Sequence, residues 1–329
     1  MKEICSVSHI SHGVSLTGGY IHEQFVFNSV CDTLDQIGFE VKRHTFRTNR
    51  FFKGLAQLKM VWLGMVNAIS DVNFVSNWMA LYAIWANLFS KRKIIITWHH
   101  HDDADAKTRM TRLYMKLLFS FLSTTQSKRI AILVVSPYWK NYFTSKVTSS
   151  VSILYFPNMF DVKYYQSFHQ APKSKQIYLG QLAFKTDAQI FELAHQLKQQ
   201  GYYCFFTTLN QSEVGVFTDY DILYFQEHSS YLNMVAQSEY SIAYTKLNEG
   251  WNRVAHESIL LGVQVVGVNK GGLGDLLQES NSLVAKTVND IAGYIQQQLK
   301  TTINAHFVAK YDMLNQHLYS QPVIDFITR

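Results

Sequence analysis

Apolar and polar positions along the chain follow two periods, about two and about 3.6 residues, and the changes between them lay out its elements. Glu3 to Ser8 reads as a strand, about Tyr20 to Ile37 as a helix stopped by Gly38, and Phe39 to His44 as a second strand, a βαβ beginning. Strands continue at Val72 to Val75 and Lys93 to Thr97. A basic helix near Lys107 to Leu122 follows, then a strand at Ile130 to Val135 and a helix start at Ser136-Pro137, serine being a favoured cap and proline fitting the first helical position. The alternation restarts with strand Gln176 to Leu179, a helix after Thr186, strands Tyr202 to Thr207 and Ile222 to Phe225, a helix from about Ser230, and strand Tyr240 to Tyr244. Strands separated by helical crossovers predict an α/β chain of two doubly wound, Rossmann-like halves.

Composition supports two packed cores. The chain has 329 residues, 47% apolar and 16% charged, enough for two domains and without a disordered signature. Cys5, Cys31 and Cys204 are odd in number, far apart and set in apolar surroundings, which predicts buried, reduced thiols and no disulfide or zinc framework. The start, Met1-Lys2-Glu3-Ile4-Cys5, reads directly as a strand and not as a signal peptide, so a cytoplasmic location is expected. Apolar runs at Phe74 to Phe89 and Leu113 to Leu122 are too interrupted to span a bilayer. A net charge of +6 is spread along the chain without RNA-binding or helix-turn-helix signatures, which argues against nucleic acid and leaves an anionic membrane surface as a partner. Between Arg50 and Ile69, Arg50, Lys53 and Lys59 alternate with Phe51, Phe52, Leu55, Trp62 and Leu63. Such a helix covers a sheet with its lysines solvated, or lies in a membrane interface as a peripheral anchor on the inner face.

The densest chemistry lies in Asn248-Glu249-Gly250-Trp251-Asn252-Arg253, the run through Glu257 and Ser258 to Gly262, then Val265-Val266 and Gly271-Gly272. Its spacing fits a loop, a helix beginning near Trp251, a stop at Gly262 and a buried strand. First-turn amides around Gly250 to Arg253 then favour an anion such as a phosphate, and Glu257 lies two turns further along. Glu257 is equally read as a surface carboxylate paired with Arg253 at i and i+4.

The whole string resembles retaining GT-B glycosyltransferases, the glycogen-synthase-like family four (group 1 type). The match falls at Glu249, Gly250, Trp251, Glu257, Ser258, Gly262, Val265, Val266, Gly271 and Gly272. It departs at Gln264, where the family usually has proline, and at Asn252, often glycine. The resemblance implies a GT-B fold, two doubly wound Rossmann-like domains facing a cleft. It implies donor-binding roles for Gly250, Trp251, Asn252, Arg253 and Glu257, the last holding the ribose, while Glu249 orients the transferred sugar.

Other positions extend the likeness. Gly180-Gln181-Leu182-Ala183-Phe184-Lys185 resembles a segment whose arginine and lysine grip the diphosphate; Lys185 matches, Gln181 replaces the arginine, and Lys246 or Arg253 could supply the missing charge. Gly18 and Gly19, with Gly13 before them, resemble the Gly-Gly turn with which the first domain faces the cleft, or form an ordinary turn. The family places a histidine after a first-domain strand near the donor sugar or acceptor, and His99, His100 or His101 fits that place. The run Tyr155-Phe156-Pro157-Asn158-Met159-Phe160-Asp161 resembles the family's interdomain junction. It gives an N-terminal domain over 1–161, a nucleotide-sugar domain over 162–302, and terminal helices over 303–329 that pack back on the first domain or against the second.

These expectations amount to a hexosyltransferase that moves a sugar from a nucleoside diphosphate donor to a glycan or lipid-linked hydroxyl acceptor in bacterial surface glycan synthesis, with retention and with neither metal nor cofactor. Two alternatives stand beside it. An inverting or metal-dependent enzyme would use the loop from His99 to Asp105, whose Asp103-Ala104-Asp105 has the D-x-D form of divalent-ion sites. A protein that binds nucleotide sugars or glycans without turnover would fit the missing arginine.

Overall fold

A computed structural model describes residues 3–12, 18–48, 70–87, 90–100, 109–169, 172–183 and 186–329. The chain divides into two compact units, Met1–Asn158 with Gln316–Arg329, and Met159–Asn315.

The first unit runs β1 (Ile4–His12), α1 (Gly18–Gln36), β2 (Glu40–Thr48), β3 (Val72–Ser76), α2 (Ala80–Ala86), β4 (Lys93–Thr97), α3 (Arg109–Thr124), β5 (Ile130–Val134), α4 (Pro137–Thr144) and β6 (Ser152–Tyr155). Its strands form one parallel sheet in the order β2-β1-β3-β4-β5-β6. Side chains alternate across the sheet and decide which helix covers which face. Ile10, Val75, Ile96, Ile132 and Val134 pack with Ile84, Leu118, Leu122, Trp139 and Phe143 of α2, α3 and α4. On the opposite face Phe74 meets Phe27 of α1, ring centroids 6.0 Å apart. β3 and β5 are buried along their whole length, as parallel strands covered on both faces must be. The apolar run Phe74 to Phe89 divides into the end of β3 and α2. Ser136 caps α4 by accepting from the Trp139 amide, with Pro137 next.

The second unit runs α5 (Val162–Gln166), β7 (Ser174–Gln181), α6 (Gln189–Gln199), β8 (Tyr203–Thr208), β9 (Gly215–Val216), β10 (Asp221–Tyr224), α7 (His228–Ala236), β11 (Ser238–Ala243), α8 (Arg253–Leu260), β12 (Gln264–Val268), α9 (Gly272–Ser280), β13 (Leu283–Ala285), α10 (Val288–Gln296) and α11 (Ala305–Lys310). The sheet order is β13-β12-β11-β7-β8-β10-β9, parallel except for β9 against β10. Ile177 and Leu179 face Ile190 and Leu193 of α6 and Ile291 of α10. Tyr178, between them in sequence, faces the other way with Leu232 of α7 and Leu260 of α8. β9 and β13 are too short to show a period and lie where the pattern predicts no element.

Cys5, Cys31 and Cys204 are free and buried. Burial pushes their thiols up, Cys5 to about 11 and the other two to about 12, so they are inert at neutral pH. No helix among the described residues is long and apolar enough to cross a membrane. The segment 50–69 read as amphipathic lies outside the described residues.

The sequence reading places the domain junction at Asp161 and the terminal helices from 303; the units divide after Asn158, α11 stays with the second unit, and the last helix, α12 (His317–Thr328), joins the first. There α12 packs on α1 and β6. Lys93, at the amino end of β4, donates from Nζ to the carbonyls of Phe326 and Ile327, each at 2.7 Å. An ammonium at a helix carboxyl end answers carbonyls that have no partner within the helix. Lys93→Met should therefore lower unfolding free energy by about 1.5–3 kcal/mol, the range for hydrogen bonds to a charged group. Amide exchange should rise first in residues 317–328. A variant as stable as the parent, with unchanged exchange there, would remove Lys93 from this role.

Candidate functional site

In the second unit the strand order reverses between β7 and β11, and the loops after their carboxyl ends are where a doubly wound sheet offers a crevice. An antiparallel bridge between Thr186 and Thr245 joins those loops. Glu249 follows and forms a parallel bridge with Gly271, the Gly272 amide donating to the Glu249 carbonyl at 2.8 Å. Gly271 has φ +59°, and a Cβ there would lie 2.5 Å from the Glu249 carbonyl oxygen. Only glycine lets the two segments meet. Glu249 is 8% exposed.

α8 begins two residues beyond the expected Trp251. Asn252 is its cap, accepting from the Ala255 amide at 2.9 Å, which gives a physical reason for asparagine at this position. The Arg253 and Val254 amides come before the first intrahelical bond, His256 N to Asn252 O. Lys185 lies outside the described residues, and Lys246 is exposed.

Trp251, expected to line the donor site, turns its side chain into the protein and is 6% exposed. Its Nε1 donates to His256 Nδ1 at 3.0 Å, and its ring lies 5.1 Å from Tyr311. His256 sits among Phe160 at 4.2 Å and Phe307 at 4.7 Å. Burial, helped by nearby Arg253, holds its pKa well below the usual histidine range, so the ring is neutral with its proton on Nε2. The indole is a packing group, and Trp251 has only its backbone left for a ligand.

Glu257 is buried within α8 rather than lying at the surface. Its Oε1 accepts from Tyr165 Oη at 3.1 Å and Arg253 Nε at 3.0 Å, and its Oε2 from Tyr231 Oη at 3.2 Å. The i,i+4 pair with Arg253 is thus present, but as part of a buried network. The guanidinium also stacks over Phe160 at 4.7 Å. These contacts tie the Arg253 side chain to Glu257 and Phe160. Each oxygen has two lone pairs, so Oε2 keeps capacity for one further donor.

In the first unit the strand order reverses between β1 and β3. Glu23 of α1 stands at that end, its Oε1 3.2 Å from His99 Nε2 and 3.1 Å from Thr97 Oγ1, its Oε2 3.4 Å from His9 Nε2. Gln24 Nε2 donates to His9 Nδ1 at 2.6 Å, which leaves the His9 proton on Nε2, facing Glu23. Burial alone would raise the Glu23 pKa; the imidazoles of His9 and His99 set against its two oxygens outweigh it and hold the carboxyl at about 2. The His22 ring stands edge-on to His99 at 5.2 Å. A Cβ on Gly19 would lie 3.3 Å from His99 Cδ2, so the glycine admits the imidazole. Gly18 is the first residue of α1. Of the candidate histidines, His99 is held by a carboxylate, while the His100 carbonyl accepts from Trp98 Nε1 at 3.0 Å. His101, Asp103 and Asp105 lie outside the described residues, and among those described no group of three or more His, Cys, Asp or Glu could hold a metal ion.

Sequence reasoning missed His9, Glu23, Tyr165 and Tyr231. One signal was present: Glu23 falls in the apolar helix run Tyr20 to Ile37, where a buried carboxylate requires donors.

No protein-family model matches the chain, and no curated protein matches it by sequence. Solved structures match over almost its whole length. Anabaena HepE in complex with UDP-glucose has a TM-score of 0.69 at 14% identity, covering 98% of this chain and 99% of that one. Sucrose-phosphate synthase from Thermosynechococcus elongatus gives 0.65 at 12%, with 98% and 96% covered. α,α-Trehalose 6-phosphate synthase from Burkholderia multivorans gives 0.69 at 10%, with 100% and 98% covered. The likeness is one of fold: the chain has the two parallel-sheet, Rossmann-like domains of the GT-B glycosyltransferase fold.

Proposed function

We propose that the chain is a glycosyltransferase that moves a hexose-type sugar from a nucleoside diphosphate to a hydroxyl acceptor, with retention. The observation that carries this reading is the lock between Glu249 and Gly271-Gly272 at the carboxyl end of β11, which fixes a nearly buried carboxylate next to the start of α8. The Arg253 and Val254 amides and Lys185 take the diphosphate as it gains charge, help worth about 3 kcal/mol per donor in other enzymes. Glu249 orients the sugar, and Glu257 reaches the ribose through Oε2. The anomeric carbon–oxygen bond to phosphate breaks, the acceptor oxygen bonds that carbon, and the acceptor's proton leaves with the phosphate. The amides, with Lys185, do the work a divalent ion would otherwise do. Uridine is the first base to try, since HepE was solved with UDP-glucose. A glycan or lipid-linked acceptor of bacterial surface synthesis, met at the cytoplasmic side, rests on the family resemblance.

A second reading is favoured by the Glu23–His99 contact. A carboxylate that fixes an imidazole is the arrangement of a general base, which an inverting transferase requires. The anomeric configuration of the product, read by NMR, decides between them.

Thermal unfolding against UDP, GDP, dTDP, ADP and CMP, each with manganese and with EDTA, should find one nucleotide that stabilises in EDTA. At a hundred times the dissociation constant the gain is about 2.7 kcal/mol. Glu257→Gln should weaken that binding, and Glu249→Gln should leave it while lowering turnover. Stabilisation that needs manganese and survives Glu257→Gln would move the site to the Asp103 loop.

Glu23→Gln should lower kcat by about a hundredfold through loss of His99 orientation. Its stability effect has a defined sign. The folded Glu23 pKa, about 2, lies below its ordinary 4.5. The carboxylate's contribution, roughly a few kcal/mol, is therefore complete above pH 4.5 and disappears as pH falls toward 2. Urea unfolding of parent and variant should differ at pH 7 and converge across that window; a gap independent of pH would refute the assignment.

A further inference from the structure

We propose that α3, flanked by Trp85 of α2, docks on an anionic lipid surface. Met115, Leu118 and Leu122 hold α3 to the sheet. On the opposite side Met110 is 74% exposed, Leu113 50% and Leu117 49%. At about 100° per residue these three fall in one arc of about 60°, and Arg109, Arg112 and Lys116, all exposed, fill an arc of similar width beside it. The helix contains no Asp or Glu. Tyr114, on the apolar side, stacks on Tyr82 at 5.9 Å, and Tyr82 meets Trp85 edge-on at 6.3 Å. This places Trp85, 53% exposed, on the flank of the apolar stripe.

An apolar stripe beside a cationic one, with a tryptophan at its edge, is the chemistry of an interfacial helix: the leucines and methionine enter the acyl boundary while the cations meet lipid phosphates. A second copy of this face would bring like charges together, and a nucleic acid would leave the leucines without a partner. The assignment rests on α3 and does not depend on the proposed transferase activity.

The test is flotation of the full chain with vesicles of phosphatidylcholine alone and of phosphatidylcholine with phosphatidylglycerol. The parent should float with the anionic vesicles only. Leu113→Gln with Leu117→Gln, and Arg112→Glu with Lys116→Glu, should each lower that partition at least about tenfold. All four residues are exposed, and glutamine and glutamate keep helix propensity, so unfolding temperatures should stay at the parent's. No flotation of the parent, or flotation unchanged in both variants, overturns the proposal. So does loss in the charge variant alone, which marks general polyanion attraction. A concentration-dependent dimer, seen by sedimentation without vesicles and abolished by the leucine variant, would assign the face to a second copy instead.

Discussion

A carboxylate withdrawn from water must be met by donors, and each unit is arranged around one such group. In the first, Glu23 gathers Thr97, His99 and His9 from β4, the loop after it and β1. In the second, Glu257 gathers Tyr165, Tyr231 and Arg253 from α5, α7 and α8. Removing a donor from either set leaves a buried charge short of partners, so the elements supplying them are tied to one geometry. Both carboxylates sit on helices near the reversal in strand order, where loops must separate. The same ties that satisfy the charge close that end of the sheet around polar groups.

The amino ends of the strands do different work. Lys93 opens β4 and holds the carboxyl end of α12, 233 and 234 residues away in sequence at Phe326 and Ile327. Four residues later the same strand delivers Thr97 to Glu23. One five-residue strand thus carries a stabilising contact at its start and a site contact at its end. A parallel sheet allows this division because every strand points the same way, so all carboxyl ends share one edge.

Most of the element order was legible because buried parallel strands and their crossover helices differ in period. Ser136-Pro137 marked a helix start through local chemistry alone, and the Glu249 to Gly272 string marked a loop, helix and strand. What the sequence withheld was non-local. Trp251 beside Gly250 fits a ligand wall as readily as a core, and the rings that enclose it and its partner His256 come from Tyr311 against the indole and Phe160 and Phe307 against the imidazole, far along the chain. Arg253 and Glu257 show an i,i+4 pair in sequence, but Tyr165 and Tyr231, which make it a buried network, come from other helices. His9 and Glu23 meet His99 only once β1, α1 and β4 are assembled.

The motif around Glu249 therefore specifies a scaffold as much as a set of contacts. Gly271 has no side chain because the Glu249 carbonyl occupies that space. Trp251 enters the core and donates to His256, which lies two residues beyond the amides that open the helix and is kept neutral by burial among aromatic rings. Asn252, between them, caps the helix that those amides begin. A conservative change at any of these positions would move the Glu249 backbone or the α8 start without touching a ligand atom. An aromatic, an asparagine and a glycine recur in the string because three separate physical demands meet there, and together they hold one carboxylate and two amides in place.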